Sequence, residues 1–534
     1  MKRLISISLW TLSLLVGVCL AACTDRDGVD MNVESIHTEP YLQLHLRVNS
    51  EDNMATRATT PLGGEDGDGR EDGVRHENEL KNVTVFIIRG NMNSAASTNF
   101  LYKGYMKQGD AGWTDVTGGV DIKFQTGAYL PQNNDRVIVV ANAGNLTSIN
   151  NLGDLRDGTT YSAWHNGATL ANNDLFVMTS AYNSSDGLVN ISAHTGFEGD
   201  PYLASKINIQ RAAARIDFMY KETDNFTGTV PSSELFYKVK DSENTNELAT
   251  VHLENIIPVN LMQESSYLLR RVTTSNYVTS SVLHGALETA DANHIPTNYV
   301  IEPHTLAKQS SVDETKLNEW YGSTRAKTIF DNPASHLTNT GIADYVATQT
   351  TASPLELGYF SHYMTLAYTN ENTQSKEKHS PDFMTGLLLK TVYEPKTVYS
   401  DASLTVASYT KGTTFWRYSP TKASMVEEDS KYFTSQTAAN DYKTAHPEDL
   451  AEIVEYQNGV CYYNIWLRHA NTNSDPHMTF PMEYGIVRNN IYRVGVEKFT
   501  GPGSPTPKYD GPEHVHLRIF VRPWNKREHP EILL

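Results

Sequence analysis

Tyr41-Leu42-Gln43-Leu44-His45-Leu46-Arg47-Val48 is the stretch from which the rest of the chain is best read. Leu42, Leu44, Leu46 and Val48 alternate with polar neighbours, the period-2 pattern of a strand with one buried face. Residues 49–73 follow with many Gly, Asp, Glu and Thr and almost no apolar periodicity. A segment of that composition buries too little apolar surface to offset backbone ordering, so it predicts an exposed, mobile loop. Arg57 lies within it, in Met54-Ala55-Thr56-Arg57-Ala58-Thr59-Thr60, and a basic residue in such a loop is open to a trypsin-like protease. A good core strand on a cleavable tether implies a strand held only until the tether is cut. The expectation is a temporary plug built on Leu42, Leu44, Leu46 and Val48.

The start of the chain bears on compartment. Lys2 and Arg3 precede an apolar run from Leu4 to Val18, and Leu20-Ala21-Ala22-Cys23 has the form of a lipobox. Small residues before Cys23 fit the signal peptidase, and Cys23 would accept diacylglycerol. A transmembrane helix needs about 20 apolar residues, and Ser and Thr interrupt this run. Residues 1–23 therefore read as a lipoprotein signal peptide, which implies an outer membrane lipid anchor for the precursor. The formal charge of −18 over 534 residues, with no basic cluster, argues against nucleic acid as a partner. Cys19 is lost with the signal and Cys23 carries lipid, leaving Cys461 alone and no intrachain disulfide. Cys461 sits in Val460-Cys461-Tyr462-Tyr463-Asn464-Ile465-Trp466-Leu467, an evident strand, and reads as a buried inert thiol.

The length predicts two or more domains. Buried strands are expected at Val83–Ile88, Arg136–Asn142, Asp174–Thr179 and Lys206–Ile209, with turns at Asn142–Asn145, Ser185–Gly187 and Gly196–Gly199 between them. Helices are few and short, one of them expected around Leu146–Leu155. Further strands follow at Ala249–Val259, Tyr363–Tyr368, Gly386–Tyr393, Val460–Leu467 and Asn490–Val496, the last two reading as partners. Residues 304–356 are polar and poorly periodic, an insertion. Strands spaced like this with long polar connections predict an all-β chain of antiparallel sandwiches.

The C-terminal end mirrors the opening stretch. Thr500–Glu513 contains four prolines and three glycines, and Pro cannot donate to a ladder. This tract reads as a semi-extended spacer that lets the last strand sit away from its own domain. His514-Val515-His516-Leu517-Arg518-Ile519-Phe520-Val521-Arg522-Pro523-Trp524 then repeats the alternation: Val515, Leu517, Ile519 and Val521 recur at the spacing of Leu42 to Val48. The C-terminal strand is thus a plausible stand-in for the N-terminal one.

Four segments together resemble a known family: Arg57-Ala58, Arg211-Ala212-Ala213-Ala214-Arg215, Val487-Arg488-Asn489-Asn490-Ile491-Tyr492, and the terminal strand ending in Pro523-Trp524. They resemble the type V pilins of Bacteroidota, the fimbrillins, and most of all the major shaft subunit of Mfa-type short fimbriae. The resemblance implies a lipoprotein precursor cut between Arg57 and Ala58 by an Arg-specific protease. It further implies that the freed strand leaves a groove, which the C-terminal strand of a neighbouring copy fills, with Trp524 as a large apolar anchor. Implied partners are other copies in a homopolymer, accessory pilus subunits, and host or bacterial surface receptors. The implied place is a cell-surface fimbrium that supports adhesion or biofilm formation.

The domain plan that follows is a signal peptide at 1–23 and a propeptide with the plug at 24–57. Two β-sandwich domains occupy 58–215 and 216–499, of transthyretin-like topology by the resemblance. The spacer at 500–513 and a donor segment at 514–534 complete it. No catalytic constellation is recognisable: His-Glu-x-x-His, Gly-x-Ser-x-Gly, P-loop and Cys-x-x-Cys are all missing. No cofactor or metal is expected. His514 and His516 lack an identifiable third ligand. Asp66 to Glu77 has the length of a calcium loop, but Arg70 and Glu71 stand at its fifth and sixth positions. Two other readings remain open: an accessory tip or anchor subunit of the pilus, and a surface glycan-binding lipoprotein that stays monomeric and keeps its lipid.

Overall fold

The computed structural model describes residues 40–48, 71–73, 75–116, 119–158, 160–161, 175–180, 188–192, 194, 196–221, 236–262, 266–273, 282–284, 299–303, 337–338, 360–373, 384–421, 427–469, 483–507 and 515–526. Cys23, Arg57 and Ala58, the signal peptide and most of the 304–356 insertion lie outside the described residues.

In chain order the principal strands begin with β1 (Tyr41–Val48), β2 (Glu71–Gly73), β3 (Asn82–Arg89), β4 (Tyr102–Lys107), β5 (Trp113–Val116), β6 (Gly119–Gln125) and β7 (Asp135–Ala141). They continue with β8 (Met178–Ser180), β9 (Tyr202–Arg211), β10 (Ala214–Lys221), β11 (Phe236–Lys240), β12 (Glu247–Val259), β13 (Phe360–Thr369) and β14 (Gly386–Pro395). The last are β15 (Phe415–Ser419), β16 (Lys431–Phe433), β17 (Glu452–Tyr456), β18 (Val460–Trp466), β19 (Asn490–Phe499) and β20 (Val515–Lys526). The architecture is all-β, as the alternating apolar patterns predict.

The first sheet has nine strands and runs β4-β3-β7-β8-β9-β1-β6-β5, with Val189–Asn190 paired to β7. Its apolar faces close on one another. The Tyr102 ring on β4 meets Phe124 on β6 with centroids 6.3 Å apart, and Tyr102 Oη donates to the Gln125 carbonyl at 3.2 Å. The core between these layers holds Leu42, Leu44, Leu46, Val48, Val83, Val85, Ile87, Ile122, Val139 and Ile207.

A second sheet runs β2-β20-β19-β10-β13, and a third runs β11-β12-β14-β18 with Leu337–Thr338 on β12. Ile216, Phe218, Val251, Leu389, Tyr463, Val494 and Phe499 share the core between these two sheets. Between β14 and β18 the chain builds a smaller sheet, Val406–Ala407, Val398–Tyr399, β16, β15 and β17, covered by helix α1 (Gln436–Ala445). The hydroxyl of Ser435 caps α1 by accepting from the Ala438 N–H at 3.2 Å. The change from the first core to the second falls between Ala213 and Ala214, where the chain leaves β9 and starts β10.

Four local expectations differ from this picture. Val460–Trp466 does not pair with Asn490–Phe499: β18 pairs with β14, and β19 lies in the facing sheet, with Tyr463 against Phe499 at 4.6 Å. The region around Leu146–Leu155 forms only a short irregular helix whose π-helical part is Asp154–Gly158. Of the expected strand Asp174–Thr179, residues 175–179 are described, and only its end joins a strand, Met178–Ser180. The C-terminal strand also does not stand away from its own body. β20 closes an antiparallel hairpin with β19, from Phe499 opposite Val515 to Asn490 opposite Pro523. An amphipathic strand tied by a short spacer to a strand of matching length finds its nearest partner there.

Candidate functional site

β1 is an inner strand of the first sheet. It runs antiparallel to β6, with Tyr41 opposite Gln125 and Arg47 opposite Gly119. On its other side it runs parallel to β9, from Leu42 opposite Tyr202 to Val48 opposite Ile209. Leu42, Leu44 and Leu46 are fully buried and Val48 is 2% exposed, while the intervening Gln43, His45 and Arg47 are half-buried. Burying four such side chains is worth about 6–12 kcal/mol before ordering costs. Hydrogen bonds tie the start of the strand on both sides. The Tyr41 N–H donates to the Gly196 carbonyl at 2.9 Å, and the Thr126 N–H donates to the Pro40 carbonyl at 2.8 Å.

On the outward face the polar groups of β1 converge on one carboxylate. His45 Nδ1 lies 2.8 Å and Arg47 Nη1 2.9 Å from Asp121 Oδ1. Burial works to raise the Asp121 pKa, but hydrogen bonds and positive charge from His45 and Arg47 prevail and hold it below the usual range. Lys123, opposite Gln43, reaches along the strand instead: its Nζ donates to the Glu198 carbonyl at 2.8 Å and sits over the Tyr41 ring. At the far end, β6 opens with Gly119. A Cβ there would run into the Leu46 carbonyl, 2.8 Å from its carbon, and would lie 3.0 Å from Arg47 Cα. Only glycine permits this approach.

The β5–β6 hairpin reaches the rest of its sheet only through β1, because β6 pairs with β1 and β5 and, among the described residues, with no other strand. Withdrawing β1 would therefore open the sheet in its middle. The gap would expose the β9 and β6 backbones to any strand of the right pattern.

The C-terminal strand is placed by its backbone: β19 flanks one side, and β2 runs parallel to its end, with Glu71 opposite Trp524 and Gly73 opposite Lys526. β2 belongs to the segment beyond Arg57, so the end of the chain and the end of the tether lie side by side. Of the expected donor residues only the Val515 side chain is described, and it is buried.

The two inner motifs singled out in the sequence meet in one buried charge cluster at the junction of the cores. Arg211 and Arg215 come from β9 and β10, Asn489 from the turn just before β19, Arg493 from β19 itself, and Glu77 from the short helix Arg75–Asn78 that follows β2. Arg215 Nη1 reaches Glu77 at 3.1 Å and its Nη2 reaches Asp217 at 2.9 Å. Arg493 Nε also lies 2.9 Å from Asp217, and Tyr368 donates to Glu77 at 2.6 Å. Arg211 donates to the Glu77 carbonyl at 2.8 Å and to Asn489 Oδ1 at 3.2 Å. Burial pulls the Arg211 pKa down to about 9 against the opposing pull of Glu77. Beside this cluster, Arg488 binds Glu371 at 2.7 Å and the carbonyls of Leu268 and Tyr267. Charges this deeply paired hold three distant segments in one arrangement. They are structural, and they explain why these basic residues stand where they do.

Cys461 is buried in β18, and burial raises its thiol pKa despite the nearby Thr391 hydroxyl. No group of His, Cys, Asp or Glu among the described residues could hold a metal ion. Glu77, which closed the would-be calcium loop, is instead buried against Arg215 and Tyr368. No described helix is long and apolar enough to cross a membrane.

The match with a known family falls on these C-terminal strands. Residues 454–529, from β17 through β18 and β19 to β20, match the family model for the C-terminal part of fimbrillin, the major fimbrial subunit protein type IV. This part of the chain is fimbrillin-like. Solved fimbrial proteins are similar to the chain over most of its length. One is a fimbrilin from Porphyromonas gingivalis W83, 12% identical over 92% of this chain and 99% of that one, with a TM-score of 0.36. Another is the tip fimbrial protein Mfa3 from Porphyromonas gingivalis, with C-terminal truncation, 11% identical over 91% of this chain and 100% of that one, at 0.33. Comparison with curated proteins finds no match. The fimbrillin-like match includes both the Val487–Tyr492 motif and the terminal strand. Asp121 and Gly119, which hold β1, had no signal in the sequence, and Glu77 stood out only as the end of the would-be calcium loop, because each acts across strands far apart in the chain.

Proposed function

We propose that this chain is a structural subunit of a cell-surface pilus that polymerises by exchanging β1 for the C-terminal strand of another copy. On this reading Cys23 carries the lipid anchor of an exported precursor, an Arg-specific protease cuts between Arg57 and Ala58, and residues 58–215 and 216–499 form the two sandwich domains. Leu42, Leu44, Leu46 and Val48 leave a groove that Val515, Leu517, Ile519 and Val521 of a neighbour fill, with Trp524 at its end. The observation that carries the proposal is the position of β1. Its four aliphatic side chains are buried inside a sheet in which, among the described residues, it alone links the β5–β6 hairpin to the other strands, while Arg57 lies only nine residues beyond Val48. The fimbrillin-like C-terminal region supports the same reading.

The test is to treat the purified full chain with an Arg-specific protease, sequence the new N-terminus and look for filaments by electron microscopy. Cleavage before Ala58 followed by filaments is expected, and a chain truncated after Glu513 should be cleaved but remain monomeric. Filaments from the truncated chain would overturn the exchange, and a cleaved full chain that stays monomeric would overturn the pilus reading.

A further inference from the structure

We infer that Asp121 is the residue by which the groove reads the strand that replaces β1, and that its partner is Arg518 of a second copy of this chain. The inference rests on the strand exchange proposed above and assigns the contact that fixes its register.

The argument starts from the four pockets that Leu42, Leu44, Leu46 and Val48 occupy. A strand shifted by one residue would turn its aliphatic row outward. A shift of two would place either Glu513 or Pro523 in the row in place of an aliphatic residue. A carboxylate in an apolar pocket is unfavourable, and Pro cannot donate to the ladder. The register that fills all four pockets with Val515, Leu517, Ile519 and Val521 is therefore strongly preferred.

That register has a consequence independent of direction. Arg518 is the midpoint of Val515–Val521, just as His45 is the midpoint of Leu42–Val48. Whichever way the incoming strand runs, Arg518 takes the place of His45, and His45 stands opposite Asp121. Departure of β1 strips Asp121 of its contacts with His45 and Arg47, leaving a carboxylate facing the empty groove. The other charged group of β6 that faces β1 is Lys123, opposite Gln43. His516 or Phe520, but never Arg518, falls opposite it. Gly119, opposite Arg47, receives the remaining one of His516 and Phe520 and has no side chain to obstruct either. Along β6, like-charge contact is avoided and the opposite charges meet, which is how electrostatic complementarity selects a register.

The test uses the full chain, cut with an Arg-specific protease, with assembly read by sedimentation and electron microscopy. Asp121→Arg and Arg518→Asp are each expected to slow assembly roughly tenfold or more, and the double exchange to restore most of the rate. Thermal melting of the uncut chains checks that they fold, and the milder Asp121→Asn and Arg518→Gln should slow assembly in the same direction. A second measurement joins the positions directly. A chain carrying both Asp121→Cys and Arg518→Cys should give disulfide-linked ladders in oxidised filaments. The uncut chain should give no such link, because position 518 there lies opposite Gly495. Filaments that form without the link, or a double exchange no better than its parents, would overturn the pairing while leaving strand exchange intact. Filaments that persist after truncation at Glu513 would instead remove the exchange itself.

Discussion

Replacing Gly119 by Ala tests whether the groove has room for a strand at only one backbone distance. The new Cβ would overlap the Leu46 carbonyl and lie 3.0 Å from Arg47 Cα. The obstacle is backbone, so no side-chain rotation relieves it. β1 would have to move away by about 1 Å, beyond the range in which an N–H···O bond keeps its strength. One or two ladder bonds near Leu46 and Arg47 would be lost at about 1 kcal/mol each. The displaced Leu46 and Val48 would pack less well, at a further cost of about 1–2 kcal/mol. The sum, about 2–4 kcal/mol, should appear as a lower urea midpoint of the uncut chain. Hydrogen exchange should show the loss of protection in β1 and β6. Gly199→Ala is the control, because a Cβ there meets nothing within 4 Å. The same substitution should also hinder the replacing strand, so cut Gly119→Ala chains should assemble poorly. If Gly119→Ala melts with Gly199→Ala and β1 stays protected, the close approach of β1 to β6 is not what holds it.

Three further outcomes are expected. Asp121 has a folded pKa below its unfolded value of about 3.9, so its contribution is full above that value and is lost as pH falls through the folded pKa; melting curves should drop more steeply below about pH 4 for the parent chain than for Asp121→Asn, and equal slopes would contradict the pairing. Asp217→Asn leaves Arg215 and Arg493 facing a neutral amide in a buried site and should cost about 3–5 kcal/mol in urea unfolding, whereas a cost under 1 kcal/mol would mean the cluster is not bearing on stability. In a chain truncated after Glu513 and cut, from which the β1 peptide has been displaced, the amides of β5 and β6 should exchange much faster while those of β3 and β7 remain protected; unchanged β6 protection would show that the hairpin does not depend on β1.

The sequence shows most of what is periodic and little of what is paired. Alternation alone marks β1 and its buried row, while a nearly continuous apolar run marks Val83–Ile88 in β3 and Gly386–Tyr393 in β14, which are buried almost throughout. Each is a local pattern with a local cause, the burial of one or both faces of the pleat. Partners are another matter. β18 and β19 follow one another in the chain and were expected to pair, yet the chain crosses to the facing sheet between them. The Arg211–Arg215 motif reads in sequence as the basic flanks of a strand. Asp217, two residues on from Arg215 in β10, shares its face by the period of the strand, but Glu77 and Arg493 come from segments 416 positions apart, and no period links those. Helix α1 was missed for a different reason. Only Ala438 and Ala439 of its ten residues are buried, so its apolar stripe is too narrow to detect, and the Ser435 cap is its one clear signal.

The topology explains why a strand at this position suits an assembly step. An edge strand could leave and expose one row of backbone groups, which water would satisfy. β1 lies between β9 and β6, so its loss exposes two rows and four apolar pockets together. The β5–β6 hairpin is then tied to its sheet by no ladder, but the facing layer still holds it through Tyr102, which touches Phe124 and donates to the Gln125 carbonyl. The groove consequently has a reason to persist after β1 departs, since its β6 wall is braced from across the core and its β9 wall stays in the ladder with β8. It also has a strong drive to be refilled, because the apolar burial lost with β1, about 6–12 kcal/mol before ordering costs, is regained by any strand with the same row. At the other end of the chain β20 is occupied by β19 and β2. In the proposed exchange, donating it means releasing those contacts, so the groove must offer more than β19 and β2 do. A central groove with four deep pockets and a waiting carboxylate meets that condition better than a sheet edge would.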